Sequence, residues 1–309
     1  MIKPKPVNQD GKIFATSKGV ELVATVIDGR EVFLVFEDKK LVDIEIQNVD
    51  ELPVGTVFVG RVSEVNKDIN AAFVLTPGKK KGFLKTDGID ISPEMSLAVR
   101  ITRASSKGKL MSLKAVDLDV SHMTDYTVIE YGENCFDKLF SIYRFDKIVT
   151  DDDSLYEKLS LVNDNVCRYF DEFVSLKVLY DVSRWLKEAT GKTIWLSSGA
   201  NITMETTEAM TVIDVNSAKR SSCSDEILRV NLEAANEIFR QFNLRNISGI
   251  VVVDFINMKN DSERENLMQF LRESALNQKV FTKIVDMTPL GLVEITRKKS
   301  GPTVYDLKL

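Results

Sequence analysis

Two strand-length runs, Met210 to Asn216 and Ile250 to Ile256, flank a helix-length stretch, and this alternation constrains the fold more than any other feature of the chain. The stretch opens on Ser224-Asp225-Glu226, a helix-starting group, and its apolar positions Leu228, Leu232, Ala235, Phe239 and Phe242 step by 4, 3, 4 and 3, one face of a helix. A strand, a helix and a strand joined in this way predict a parallel pair. Ile250 to Ile256 is apolar at both parities, which predicts a buried strand and hence a covered sheet. A hairpin built from Ile194 to Leu196, a turn at Ser197 to Ala200, and Ile202 to Glu205 precedes the pair. A second amphipathic helix over Glu263 to Ala275 and strands over Val280 to Val285 and Leu292 to Arg297 follow it.

Upstream the rhythm differs. Residues 1–18 read as a polar, flexible arm. Short β-rich runs then cover Leu22 to Ile27, Glu31 to Phe36 and Leu41 to Ile46, with Asp28-Gly29 as a two-residue hairpin turn between the first two. After a break at Asn48 to Pro53 come five more, Thr56 to Val62, Ala71 to Leu75, Gly82 to Leu84, Leu97 to Thr102 and Leu110 to Leu113, punctuated by Pro77-Gly78, Asp87-Gly88 and Ser105 to Gly108. Five short strands with glycines at the bends suit a small closed barrel of the OB type. Val116 to Lys192 is mixed, with helical periodicity around Leu155 to Phe173 and a helix expected from Leu176 to Glu188.

Composition removes several chemistries. One histidine, His122, leaves no Ser-His-Asp or Cys-His hydrolase constellation, and it reads as an ordinary polar residue of a connecting segment. Three cysteines, Cys135, Cys167 and Cys223, stand at distant positions without a Cys-x-x-Cys spacing, so neither a disulfide framework nor a zinc site is expected. No run approaches a membrane span and the opening residues lack a signal-peptide pattern, so a cytoplasmic protein is expected. The formal net charge of −5 argues, taken alone, against a nucleic-acid partner. Charge is met locally, however, and basic runs stand at Lys79-Lys80-Lys81 and Arg297-Lys298-Lys299, either as solvated turns and tails or as phosphate-binding patches.

Any catalysis must therefore come from carboxylates, amides, lysines and arginines. Alternation puts Val212, Asp214 and Asn216 on one face of their strand, and Asp254 interrupts an otherwise apolar one. Both aspartates fall near the carboxyl ends of neighbouring strands, where open α/β sheets place ligands. Two carboxylates and an amide oxygen are hard ligands suited to hydrated Mg²⁺ or Mn²⁺. From spacing alone a second reading stands, in which Asp214 caps a strand end and Asp254 binds backbone.

Four longer stretches carry a resemblance: Thr206 to Lys219, Asn231 to Ile238, Gly249 to Ile256 and Leu290 to Arg297 resemble, in order, the catalytic region of the RNase E/G family. Gly60-Arg61-Val62, Ala71 to Val74 and Gly82-Phe83-Leu84 are similar to that family's embedded OB-type RNA-binding domain. The resemblance implies a mixed α+β and α/β architecture. An RNase H-like subdomain at 19–47 and 115–192 would carry an inserted five-stranded OB-fold barrel at 48–114, and a DNase I-like α/β catalytic subdomain would follow at 193–309.

It further implies a single-strand-specific endoribonuclease in RNA processing or decay, whose Mg²⁺ lies between Asp214 and Asp254 while Asn216 positions the scissile phosphate. Water would attack phosphorus and leave a 5′-phosphate and a 3′-hydroxyl. In the barrel the family's base-stacking aromatics match Phe73 and Phe83, which without the resemblance read as core residues, and Lys107 falls near a matching lysine. The segment from Leu113 to Thr193 is too short for the family's whole 5′-sensor insertion and holds no matching arginine-threonine pocket, so sensing of a 5′-monophosphate is not expected. Without a Cys-Pro-x-Cys element, neither zinc nor a zinc-linked tetramer is expected, and a smaller oligomer such as a dimer stays open. Asn257 stands where the family commonly has aspartate, and alternation places it opposite Asp254. The competing reading is an RNA-binding module with little or no nuclease activity.

Overall fold

A computed structural model of the chain describes residues 19–49, 51–86, 88–105, 109–217, 224–299 and 301–307. The arm at 1–18, Lys107, Asp87 and most of the loop after Asn216 lie outside the described residues. The chain divides into two compact units, one of Met1–Thr25, Leu34–Glu45 and Ile142–Leu309, the other of Val26–Phe33 and Ile46–Ser141.

Three strands open the fold, β1 (Val20–Ile27), β2 (Arg30–Glu37) and β3 (Lys40–Asn48). The turn at Asp28 (φ 51°) and Gly29 (φ 70°) is the one its sequence predicts, with positive φ at both central residues. Asp38 (φ 49°) and Lys39 (φ 65°) make a second such turn, which a lysine conceals in the sequence.

The barrel unit follows with β4 (Val57–Asn66), β5 (Ala71–Leu75), β6 (Lys81–Lys85), β7 (Ser96–Arg103) and β8 (Met111–Ala115), then β9 (Val128–Glu130) and helix α1 (Cys135–Ile142). The order β5-β6-β8-β7-β4 is closed by β4 pairing with β5, giving a five-stranded barrel compatible with an OB-fold. β6 and β8 run parallel, and β9 adds to the outside of β4. β4 serves both sides of the barrel, Val57 to Arg61 against β7 and Arg61 to Asn66 against β5. Gly60 lies at that bend, where a Cβ would come within 2.3 Å of a Val74 methyl, so no larger residue fits without displacement. Phe58, Val62, Val74, Leu84, Val99 and Ile101 fill the interior.

In the other unit, β10 (Lys147–Thr150), helix α2 (Asp153–Ser160) and β11 (Val166–Arg168) continue the first sheet in the order β11-β10-β1-β2-β3, with β10 parallel to both β1 and β11. The helix expected to run to Phe173 thus ends at Ser160. Asn163, whose side chain accepts from the backbone of Asn165 at 2.8 Å, turns the chain into a strand instead. The helix expected from Leu176 to Glu188 is split by Asp181 (φ 48°) into α3 (Leu176–Leu179) and α4 (Val182–Thr190).

The second sheet holds β12 (Thr193–Trp195), β13 (Asn201–Thr206), β14 (Met210–Asn216), β15 (Gly249–Asp254), β16 (Thr282–Met287) and β17 (Leu292–Arg297) in the order β12-β13-β14-β15-β17-β16. Helix α5 (Ser224–Arg245) links the parallel pair β14 and β15, and α6 (Asp261–Leu276) links β15 to β16. Ala235, Phe239 and Phe242 of α5 and Leu267 and Leu271 of α6 share one core with Ile202, Ile213, Val215, Val251, Val253, Val293 and Ile295. No helix among the described residues is long and apolar enough to cross a membrane.

The expectation of a covered sheet holds for one face only. Ile250 is 51% exposed and Val212 43%, so the apolar residues at the second parity of β14 and β15 face solvent.

Glu237 of α5 joins a partly buried ionic cluster with Arg240, Glu188 and Lys40. Burial pushes its carboxyl up, but the Arg240 guanidinium, with Nε donating at 3.0 and 3.1 Å, overrides this and holds it below its ordinary value. A carboxyl held low in the folded state adds stability that is present above its ordinary pKa of 4.5 and lost as pH falls through the depressed value. Glu237→Gln is therefore expected to lower stability near neutrality and to flatten the fall in stability below that pH. Urea denaturation across the acid range checks it, and parallel curves for variant and parent would refute it.

Candidate active site

β14 alternates strictly, with Thr211, Ile213 and Val215 buried and Met210, Val212, Asp214 and Asn216 exposed. In β15, Val251 and Val253 point inward while Asp254 is exposed at the carboxyl end. The parallel register sets Asp214 directly beside Asp254. Adjacent strands lie about 4.8 Å apart, so two carboxylates project together from the open sheet face. Asp254 is not a buried charge, and its desolvation needs no compensation. The Asn216 amide donates to Asp214 Oδ2 at 2.8 Å, fixing that carboxylate from two residues away on the same face.

The strand end bearing Asp254 is held from three sides. Asn231 of α5, fully buried, donates to the Ile256 carbonyl at 2.8 Å and accepts from the Ile256 N–H at 3.0 Å. Arg264 of α6 donates to the Met258 carbonyl at 2.8 and 3.1 Å. Across the sheet Asp254 pairs with Leu292, which follows the turn at Gly291 (φ 88°), a backbone conformation that favours glycine. Sequence reasoning passes over Asn231, although it opens one of the four family-like stretches. Its signal is an amide on the apolar side of a helix, which must find two backbone partners. β15 ends at Asp254, so strand alternation does not extend to Asn257. That exposed residue lies instead beside Gly291, its Oδ1 3.8 Å from where a Cβ on that glycine would stand.

The donor set fits a hard cation. It offers carboxylate and amide oxygens on solvent-facing strands, with no sulfur or imidazole. No group of three or more His, Cys, Asp or Glu side chains placed to hold a metal occurs among the described residues. Two carboxylates suit an ion that keeps several of its waters, as Mg²⁺ does.

On the barrel, Phe73 and Phe83 are cross-strand partners on β5 and β6. Neither belongs to the interior cluster. Both are half-buried on the outer surface, edge to face with ring centroids 6.2 Å apart. Lys81 Nζ stands 5.8 Å from the Phe73 ring centroid and 3.7 Å from Glu64. Lys79 and Lys80 occupy the exposed turn ahead of β6.

The run Arg297-Lys298-Lys299 does not present three cations. Arg297 is 2% exposed and donates to the Ile247 carbonyl at 2.6 Å and to Asn243 Oδ1 at 3.1 Å, and burial pulls its guanidinium down to about 10. It is a structural residue, because the inward parity of β17 places it beneath the sheet. Lys298 and Lys299 are exposed.

A sheet with paired carboxylates at the ends of a parallel strand pair, in a chain that also carries a unit built on an OB-compatible barrel, defines a mixed α+β protein with a candidate hard-metal site. The Ribonuclease E/G family matches residues 126–300, more than half of the chain, and the chain belongs to that family. It is 38% identical over 139 residues to Ribonuclease E of Synechocystis, covering 44% of this chain and 21% of that protein. Against Ribonuclease G of Salmonella typhimurium it is 37% identical over 129 residues, 41% of this chain and 26% of that protein. A chloroplastic Ribonuclease E/G-like protein of Arabidopsis thaliana is 34% identical over 139 residues, 43% of this chain and 14% of that protein. These matches span about a quarter or less of each relative's length.

Proposed function

We propose that the protein is a Mg²⁺-dependent endoribonuclease that cleaves single-stranded RNA during processing or decay in the cytoplasm. The observation that carries this reading is the register of Asp214 beside Asp254 with Asn216 on the same face, in a chain whose relatives are named Ribonuclease E and Ribonuclease G. Asp214 and Asp254 would hold Mg²⁺, or Mn²⁺ in its place. A bound ion there supplies an activated water and offsets charge developing on the phosphate. Asn216 keeps Asp214 oriented and turns its second N–H toward a phosphate oxygen. Attack of water on phosphorus in line with the 3′-oxygen forms one P–O bond and breaks another, leaving a 5′-phosphate and a 3′-hydroxyl. The strand order β3-β2-β1-β10-β11 supports an RNase H-like assignment for the first sheet. The two-helix, six-stranded second sheet supports a DNase I-like one.

The barrel would bind the RNA. Phe73 and Phe83 offer ring faces at the surface, with Lys79, Lys80 and Lys81 beside them for phosphates. Phe73→Ala is expected to weaken binding of a short unstructured RNA by about 1–3 kcal/mol without unfolding the barrel. Fluorescence anisotropy checks this, and unchanged affinity would remove Phe73 from the interface. Lys107 and Lys298 would add phosphate contacts, and such binding should weaken with salt.

The test of the whole reading is incubation with an unstructured AU-rich RNA, with and without Mg²⁺, comparing 5′-phosphate and 5′-triphosphate substrates and the Asp214→Ala and Asp254→Ala variants. Cleavage that needs the ion and both aspartates supports it. Absent cleavage, with binding that depends on Phe73 and Phe83 alone, would instead establish an RNA-binding module, the reading favoured if the outward aromatics are the only working part.

A further inference from the structure

The sheet face that carries Asp214 and Asp254 is uneven, and its unevenness gives the bound strand a direction. One row runs Thr193, Thr203, Asp214, Asp254 across neighbouring strands, and the next runs Trp195, Asn201, Asn216. Directly paired residues project to the same side, so an indole, two amides, two hydroxyls and the two carboxylates share one surface. Trp195 is 71% exposed and stands on β12, the edge strand, two strands from Asn216 and hence about 10 Å away. On the other side of the carboxylates the row reads Glu205, Val212, Val252, Glu294, Asp286. Glu205 is paired with Lys192 at 2.6 Å, but Glu294 and Asp286 set two exposed carboxylates side by side, a surface that repels phosphate.

We infer that Trp195 stacks a nucleobase of single-stranded RNA and that the strand leaves the carboxylate pair across Asn216 and Asn201 toward the β12 edge. This rests on the nuclease reading of the aspartates and names a substrate-positioning residue for it. Neutral amides and hydroxyls line that path and can bond phosphate or sugar oxygens without the repulsion found on the other side. An indole left largely in water on the site's own face matches what a base requires, a flat apolar surface of sequence-tolerant affinity. A base still paired in a duplex cannot present its face to it, so Trp195 would also select for single strands.

The full chain carrying Asp254→Asn, silent in cleavage, serves as the binding protein, with a short uncleaved RNA as probe. RNA is expected to quench tryptophan fluorescence, and Trp195→Phe should abolish the quench while leaving affinity nearly intact. Trp195→Ala should weaken binding about 5- to 100-fold. An abasic residue at one position flanking the cleavage point should cost the same factor with Trp195 present and nothing further in the alanine variant. Unchanged affinity of Trp195→Ala, or a quench that survives Trp195→Phe, would overturn the inference. Aspartate-dependent cleavage with unaltered Trp195→Ala binding defeats the stacking and leaves the nuclease reading standing. Trp195-dependent stacking without any cleavage defeats only the nuclease reading.

Discussion

Asp254→Asn is expected to reduce Mg²⁺-dependent RNA cleavage about a thousandfold or more while leaving the fold intact. The magnitude follows from the several kcal/mol that a bound cation contributes to a phosphoryl transition state, at about 1.4 kcal/mol for each factor of ten. The fold should tolerate the change because Asp254 is exposed at a strand end, and its neighbouring loop is held by Asn231 and Arg264 rather than by its carboxylate. Two like charges directly opposite on adjacent strands repel, so the metal-free variant should be as stable as its parent or slightly more so. Adding Mg²⁺ should raise the melting temperature of the parent and leave that of Asp254→Asn unmoved. A variant that cleaves within tenfold of the parent, or that gains the same Mg²⁺ stabilisation, would remove Asp254 from the ion's site. Asp214→Asn should behave alike, since its amide oxygen can still accept from Asn216, whereas Asp214→Ala would in addition lose that hydrogen bond.

Much of this site is legible in the sequence because its information is local. Strand parity alone places Asp214 and Asn216 together, and a strand, helix and strand in succession place Asp254 beside them. The barrel is legible for the same reason, since short β-rich runs and glycine turns fix their own strands. Three things are not. Ile250 and Val252 read as buried because apolar residues at both parities ordinarily mean two covered faces, whereas here both covering helices pack on one side. Arg297 reads as a surface cation within a basic run, yet an inward strand position overrides composition. The end of α2 escapes detection because apolar spacing continues through residues whose asparagines prefer a turn. The first two failures concern which layer lies over an element, and that is set by residues far away in sequence, whereas the third is a local turn that the apolar spacing masks.

Lys279 is the extreme case, a lysine between a helix and a strand that is in fact buried. Its ammonium lies 2.5 Å from both Asp43 and Glu45 of β3, and the Tyr143 hydroxyl donates to Asp43 at 3.2 Å. Burial pushes the Asp43 carboxyl above its ordinary range against the pull of Lys279. The two carboxylates in turn hold the Lys279 ammonium above its own ordinary value despite burial. Lys279→Met keeps the apolar stem and removes the charge, leaving Asp43 buried without its counter-ion, and is expected to cost roughly 3–5 kcal/mol at neutral pH. The sign of the pH dependence separates this from a simple packing defect. Without Lys279 the folded pKa of Asp43 rises further above its unfolded value, so the folded state binds a proton the unfolded chain does not, and stability falls as pH rises between the two. The deficit of Lys279→Met should therefore be smaller near pH 5 than near pH 8, and Asp43→Asn in the same chain should recover much of it. Urea midpoints at the two pH values measure both effects, and a deficit independent of pH and unrelieved by Asp43→Asn would show that Lys279 acts through its packing alone.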